Sequence, residues 1–344
     1  MYAHHYPKTD AVSVALMRQQ GAIILGKTVT TEFASFNSGP TTNPFDAEHT
    51  PGGSSSSSAA EVADFMVPLA TGSQTAESII RPASYCGVVG FKPSLGKISV
   101  AGVKSLAPSL DTLGCFGRSV EDVALGVAAM SGDHAMGTIE SLHYKPKIAV
   151  CKTSDWECAS QASIAAIALA RFAAEKIAKS LVNDLSLPNS FDTLRETQTR
   201  IMVNEISRSL AFEREQYAKK LSPLLSKQLD DGKRITYQQY SKDLQATEIA
   251  RKTIAELFQN QVDILIAQSA IGEAPLLKDG TGDPIFCRMW TLLGLPCINL
   301  NISTGVNGLP IGVQLIAGPG KDHLLLSVAR AFALALPDPV LREA

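Results

Sequence analysis

The apolar positions of this 344-residue chain fall into short runs that alternate between helical and strand-like spacing. Val12, Ala15 and Leu16 recur at the i, i+3, i+4 spacing of one helical face, with Asp10 placed to cap that helix and Gly21 to end it. Ala22–Leu25 reads as a buried strand. Residues 39–58 then turn to Gly, Pro, Asn, Ser and Thr, a loop composition. Ala59–Met66 predicts a helix and Val67–Ala70 a further buried strand, and the alternation runs on to about Gly132. Lys147–Cys151 is strand-like, and Ser160–Leu181 is an Ala-rich helix. Ile264–Ala267, Cys297–Leu300 and Ile311–Ile316 predict strands, and Lys321–Ala335 a closing helix. The stretch from about 190 to 261 differs, being long, charged and helical in period. There Thr236 and Gln239 spell a capping box, followed by an apolar stripe of Tyr240, Leu244, Ile254, Leu257 and Phe258. This pattern predicts one α/β domain over 1–344, a sheet covered by helices, carrying a helical insert at about 190–261.

Composition narrows the class without changing the picture. Hydrophobic residues make up 45% and charged residues 19%, which suffices for a sizeable core. A net charge of -2 with no basic block gives no reason to expect nucleic acid. No apolar run reaches membrane-spanning length, since Ile164–Ala170 is stopped by Arg171, and MYAHHYPKTD lacks the apolar region of a secretory signal. Cys86, Cys115, Cys151, Cys158, Cys287 and Cys297 contain no CxxC pair, which predicts buried free thiols in a soluble, cytoplasmic protein. No His/Cys/Asp cluster has ligand spacing, so neither a metal nor another cofactor is expected. Adjacent His4 and His5 lie in a polar start and read as solvated.

Gly21-Ala22-Ile23-Ile24-Leu25-Gly26-Lys27-Thr28 matches the G-x-x-x-x-G-K-[ST] phosphate-loop pattern. That mechanism needs a strand before the first glycine and then a loop whose N–H groups wrap an anion. Here the intervening Ala-Ile-Ile-Leu has the character of the strand itself, so Lys27 reads as a structural residue at a strand end.

Two segments carry the chemistry: Pro51-Gly52-Gly53-Ser54-Ser55-Ser56-Ser57-Ser58-Ala59-Ala60 and Gly72-Ser73-Gln74-Thr75-Ala76-Glu77-Ser78-Ile79-Ile80-Arg81-Pro82-Ala83. Alone, the first resembles a flexible linker, yet it leads straight into a helix and a strand. Together, with 24 residues between Ser54 and Ser78, they resemble the amidase signature family. Thr31-Glu32-Phe33 and Asn43-Pro44 upstream, and Cys86–Pro93, Asp111-Thr112 and Arg118–Asp122 downstream, agree with it. So do Thr291–Pro296 and Asn307–Leu315. The resemblance implies a mixed sheet covered by helices and a small-molecule carboxamide substrate. By position Ser78 is the nucleophile and Ser54 the bridging serine, preceded by a cis peptide at Gly53. A lysine would draw the proton through Ser54, and the backbone N–H groups of Thr75, Ala76, Glu77 and Ser78 would form the oxyanion hole.

The sequence departs from the family pattern in two respects. The matching lysine position falls before Met1, and the upstream lysines, Lys8 and Lys27, match other positions. This predicts an N-terminally truncated member of a longer family. Ala76-Glu77 also replace a glycine pair, and Ser57 a further glycine, where family backbone takes positive φ or packs closely. A base contributes about 10²–10⁴-fold and one oxyanion donor about 10²–10³-fold. The prediction is therefore a weak or inactive hydrolase with its fold retained. A non-catalytic paralogue used for binding or assembly, and an amidotransferase A-type subunit, stay open as alternatives. Strand edges laid bare by truncation make a homo-oligomer possible.

Overall fold

The computed structural model describes residues 1–2 and 4–336. Its strands are β1 (Leu69–Gln74), β2 (Val89–Lys92), β3 (Thr112–Gly117), β4 (Lys147–Lys152), β5 (Ser180–Ser186), β6 (Ile264–Gln268), β7 (Cys297–Thr304) and β8 (Pro310–Ala317). They form one sheet in the order β1-β3-β2-β7-β8-β6-β4-β5. β4 runs parallel to β5 and β6, and the other neighbours are antiparallel. The helices are α1 (Val12–Gln19), α2 (Ser56–Ala63), α3 (Ile80–Tyr85), α4 (Val120–Ser131), α5 (Gln161–Ile177), α6 (Leu194–Ser209), α7 (Ala211–Tyr217), α8 (Pro223–Arg234), α9 (Tyr237–Asn260), α10 (Arg288–Leu292) and α11 (Asp322–Ala335). This is a mixed-sheet α/β architecture.

Strand periodicity divides the core in two, because successive side chains point to opposite faces. Ile148, Val150, Ile264 and Ile266 join α4, α5 and α11 in one apolar cluster. The intervening Ala149, Cys151, Leu265 and Ala267 join residues of α6, α8, α9 and α10 in the other. The second face carries the chemistry. In α9, Ile254 is buried and Tyr240, Leu244, Leu257 and Phe258 pack against this cluster, so the stripe read from sequence faces inward.

Several local readings need correction. Ala11, not Asp10, stands at the N-cap of α1. The Asp10 carboxylate accepts from Arg18 Nε at 2.9 Å, while the Val12 N–H donates to the Ala101 carbonyl at 3.1 Å. The helix buries Ser13 and Met17 and leaves Val12 exposed. Ala22–Leu25 is irregular and joins no strand, and Ile23 and Leu25 stand 85% and 74% exposed. The strand read at Val67–Ala70 begins at Leu69 and runs on through polar Thr71-Gly72-Ser73-Gln74, which the ladder to β3 carries. The long Ala-rich helix stops at Ile177, where Ala178 turns extended, and Ser180–Leu181 open the edge strand β5. Thr236 does cap α9, but Gln239 turns its amide to Asp243 at 3.2 Å and does not reciprocate. The cysteines are free thiols and five are buried, whereas Cys158 is exposed. No described helix is long and apolar enough to cross a membrane.

Candidate active site

The serine-rich loop, the turn after β1 and α3 meet on the second face of the sheet. Gly52 permits the closest approach. Its φ is +81°, and a Cβ there would stand 2.9 Å from the Pro82 Cα in α3. The next bond, Gly53–Ser54, is cis. Arg81 joins the two segments, with Nη2 donating to the Gly53 carbonyl at 2.6 Å and Nη1 to the Gly282 carbonyl at 2.6 Å. The Ser54 carbonyl accepts from the Thr31 N–H at 3.0 Å and the Thr30 hydroxyl at 2.8 Å. Ser54 and Ser78 are both buried, and among the described residues neither hydroxyl makes a hydrogen bond. The two hydroxyls are therefore not bonded to each other.

The turn from Gln74 to Ile79 is held by side chains. Gln74 Oε1 accepts from the N–H groups of Ile79 and Ile80 at 2.9 and 3.1 Å, supplying the first-turn acceptor that α3 needs. Its amide nitrogen donates to Thr291 Oγ1 at 2.9 Å, and that hydroxyl donates onward to the Ala76 carbonyl at 2.7 Å. Gln198 donates to the Thr75 carbonyl at 2.8 Å and accepts from Arg288 Nη1 at 2.7 Å. The Thr75 hydroxyl donates to Asp111 at 2.6 Å. Among the described residues, none of the N–H groups of Thr75, Ala76, Glu77 and Ser78 donates to an acceptor. Buried N–H groups are seldom left over, so this turn offers donors to a bound oxygen.

The missing glycines are less costly than their positions suggest. Neither Ala76 nor Glu77 takes positive φ, and Ser57 lies in α2, its hydroxyl 2.6 Å from that of Thr41. Glu77 nevertheless brings a carboxyl into the site. It is fully buried, its nearest cation is Arg81 Nη1 at 3.7 Å, and neither oxygen has a hydrogen-bond partner. Burial lifts it to about 8, against the pull of Arg81. Burial also lowers Arg288, to about 10.

A narrow cleft opens on Thr75–Ser78 and Arg81, walled by Phe36, Leu106 and Met202. Its rim at Phe33 and Ala34 takes left-handed backbone, at φ 47° and 57°. Such conformations persist only where the surroundings enforce them. Here Ser222 N–H donates to Glu32 at 3.0 Å and the Ser35 hydroxyl bonds Gln228, both on or beside α8. The upstream lysines, Lys8 and Lys27, are exposed, and Lys27 lies on irregular chain that neither ends a strand nor opens a helix. Buried Lys92 spends its ammonium on the Pro93 carbonyl at 2.8 Å. Among the described residues no three His, Cys, Asp or Glu gather as a metal site would need.

Comparison with known proteins gives the family. Residues 1–326 match the family model described as Amidase. The chain belongs to the amidase family. It is 34% identical over 394 residues to the glutamyl-tRNA(Gln) amidotransferase A subunit of Synechococcus sp. (strain WH7803), covering 97% of this chain and 79% of that protein. The same-named subunit of Sulfurihydrogenibium sp. (strain YO3AOP1) is 32% identical over 382 residues, covering 96% and 78%. Among solved structures, an amidase superposes with a TM-score of 0.86 at 26% identity over 95% of this chain and 78% of that one. The corresponding amidotransferase protein of Thermotoga maritima gives 0.81 at 25% identity, over 99% and 81%. The sequence reading missed the amidase's supporting polar side chains. Only Thr291, set in Met289-Trp290-Thr291-Leu292-Leu293, stands out in sequence as a polar residue in an apolar run; Gln74 and Gln198 have polar neighbours, and their burial is visible only in the fold.

Proposed function

We propose that this amidase hydrolyses a carboxamide C–N bond through an acyl-enzyme at Ser78, with Ser54 relaying the proton. Ser78 Oγ attacks the carbonyl carbon and its proton leaves toward Ser54. The tetrahedral oxyanion takes hydrogen bonds from N–H groups of Thr75–Ser78, the C–N bond breaks, and the amine departs with a proton. Water then releases the acid from the serine ester. The observation that carries this reading is the run of uncommitted N–H groups ending at a buried, unbonded serine hydroxyl. No described lysine donates to Ser54, so these residues turn over weakly in isolation. Incubation with a fluorophosphonate, read by intact mass, tests both parts. Slow labelling that Ser78→Ala abolishes is expected. Rapid labelling would refute weak activation, and labelling that survives in Ser78→Ala would refute the nucleophile.

The relatives' names favour a second reading, an amidotransferase A-type subunit that releases ammonia from an amide for a partner. Ammonia release from glutamine that rises when the other subunits of such a complex are added would select it. A chain that no fluorophosphonate labels, yet binds amides, would instead be a non-catalytic paralogue.

A further inference from the structure

We infer that Glu77 determines specificity in the Ser78 cleft, pairing with a primary carboxamide head group (–CONH2) and discriminating against N-substituted amides. The inference rests on the reading of this cleft as an amide site. Glu77 is the one cleft-lining carboxyl, and both its oxygens are buried without a hydrogen-bond partner. Buried polar groups are almost always satisfied, and those that are not call for a missing partner. The surroundings supply only the Cys287 thiol, a weak donor that also faces the Ser269 carbonyl at 3.9 Å and Gln314 Oε1 at 3.6 Å. Arg81 is committed to the Gly53 and Gly282 carbonyls and reaches Glu77 only at 3.7 Å. Arg288 is turned to Gln198.

The protonation state decides which partner fits. The charged or titratable groups facing Glu77 are Arg81 and Tyr85 from α3, Arg288 from α10, and Asp283 and Cys287 just before it. Two cations oppose one carboxylate, yet burial outweighs them and keeps the acid protonated near neutral pH. A neutral carboxyl has one O–H donor and one free carbonyl acceptor. A primary carboxamide offers the complementary pair, a carbonyl to accept and an N–H to donate. A carboxylate offers no donor, and an ammonium no acceptor. The enclosed part of the cleft is about 10 Å3, room for one water-sized group. An unsubstituted –NH2 suits that space, whereas an N-alkyl group adds methylenes against Leu106 and Met202.

Binding in a Ser78→Ala background separates this inference from the chemistry, since no turnover is needed. Ligand-observed NMR at pH 6.5 with butyramide, N-methylbutyramide, butyrate and n-butylammonium should show butyramide binding at least 10-fold tighter than the other three. Glu77→Gln, which keeps a donor and an acceptor, should retain that preference, and Glu77→Leu should lose it. If Glu77→Leu does not fold, butyramide binding to the Ser78→Ala chain is followed against pH and should weaken as pH passes about 8. Equal binding of butyramide by Glu77→Leu, tighter binding of butylammonium, no preference over N-methylbutyramide, or a flat pH profile would each overturn the inference. Fluorophosphonate labelling of Ser78 would stand in any of those cases.

Discussion

Arg81 Nη2 lies 2.6 Å from the Gly53 carbonyl, so one guanidinium in α3 fastens the cis-peptide loop to the helix that follows Ser78. The same group holds Gly282, and it is almost wholly buried. Arg81→Met should cost about 3–5 kcal/mol, because two carbonyls lose their donor in a dry interior. Urea unfolding measures this. A loss below about 1 kcal/mol would mean that water reaches those carbonyls.

Glu77 should make stability pH-dependent. Its folded-state value, about 8, lies above the ordinary 4.5, with burial the largest cause. Its stabilising contribution is therefore complete below pH 4.5 and is lost progressively as pH rises to about 8. The unsubstituted chain should lose on the order of a few kcal/mol across that window relative to Glu77→Gln. Parallel stability curves for the two would contradict the protonated carboxyl.

Thr291 is the joint between Gln74 and Ala76. Thr291→Val keeps the shape and removes the hydroxyl, leaving a buried amide and a buried carbonyl unmatched. About 1–3 kcal/mol of stability should go with it. Fluorophosphonate labelling of Ser78 should also slow, since the Ala76 carbonyl no longer fixes the orientation of the turn. Unchanged labelling would show that Gln198 and Asp111 suffice to hold the turn.

Ile23 and Leu25 stand exposed on irregular chain outside the sheet and offer another molecule an apolar pair to cover. The double variant Ile23→Lys/Leu25→Lys should shift the chain toward monomer in light scattering at constant concentration. It should change thermal stability little, because neither side chain is buried. An unchanged mass distribution would place any association elsewhere.

The meeting of the two serine segments was legible because glycine and serine spacing survives in sequence order: the cis bond expected at Gly53 is present, and Arg81 ties that loop to the helix after Ser78. Strands such as Ile264–Gln268 were legible as continuous apolar runs. β1 was harder, since Thr71-Gly72-Ser73-Gln74 owes its strand state to the ladder with β3, a partner about 40 residues away. Asp10 was misread because its carboxylate had a competing cation one helix-length on, at Arg18. Gln198 and Arg288 could not be assigned to the site from spacing, because the contact between them spans 90 residues. What they do depends on two segments folding against each other.

Gln74 gives the turn its chemical surplus. A chain passing from strand into helix ordinarily has a shortage of acceptors, and each amide hydrogen at the entrance competes for whatever oxygen is near. One side-chain oxygen here answers two of those hydrogens at the entrance to α3, at Ile79 and Ile80. Those two amides therefore do not compete with the ones just before them for an acceptor. The four hydrogens from Thr75 to Ser78 are left idle, and idle donors in a dry place are a form of readiness. Gln74→Leu would keep the strand and the serine in place, yet set the Ile79 and Ile80 hydrogens in competition with those of Thr75–Ser78 for any bound oxygen.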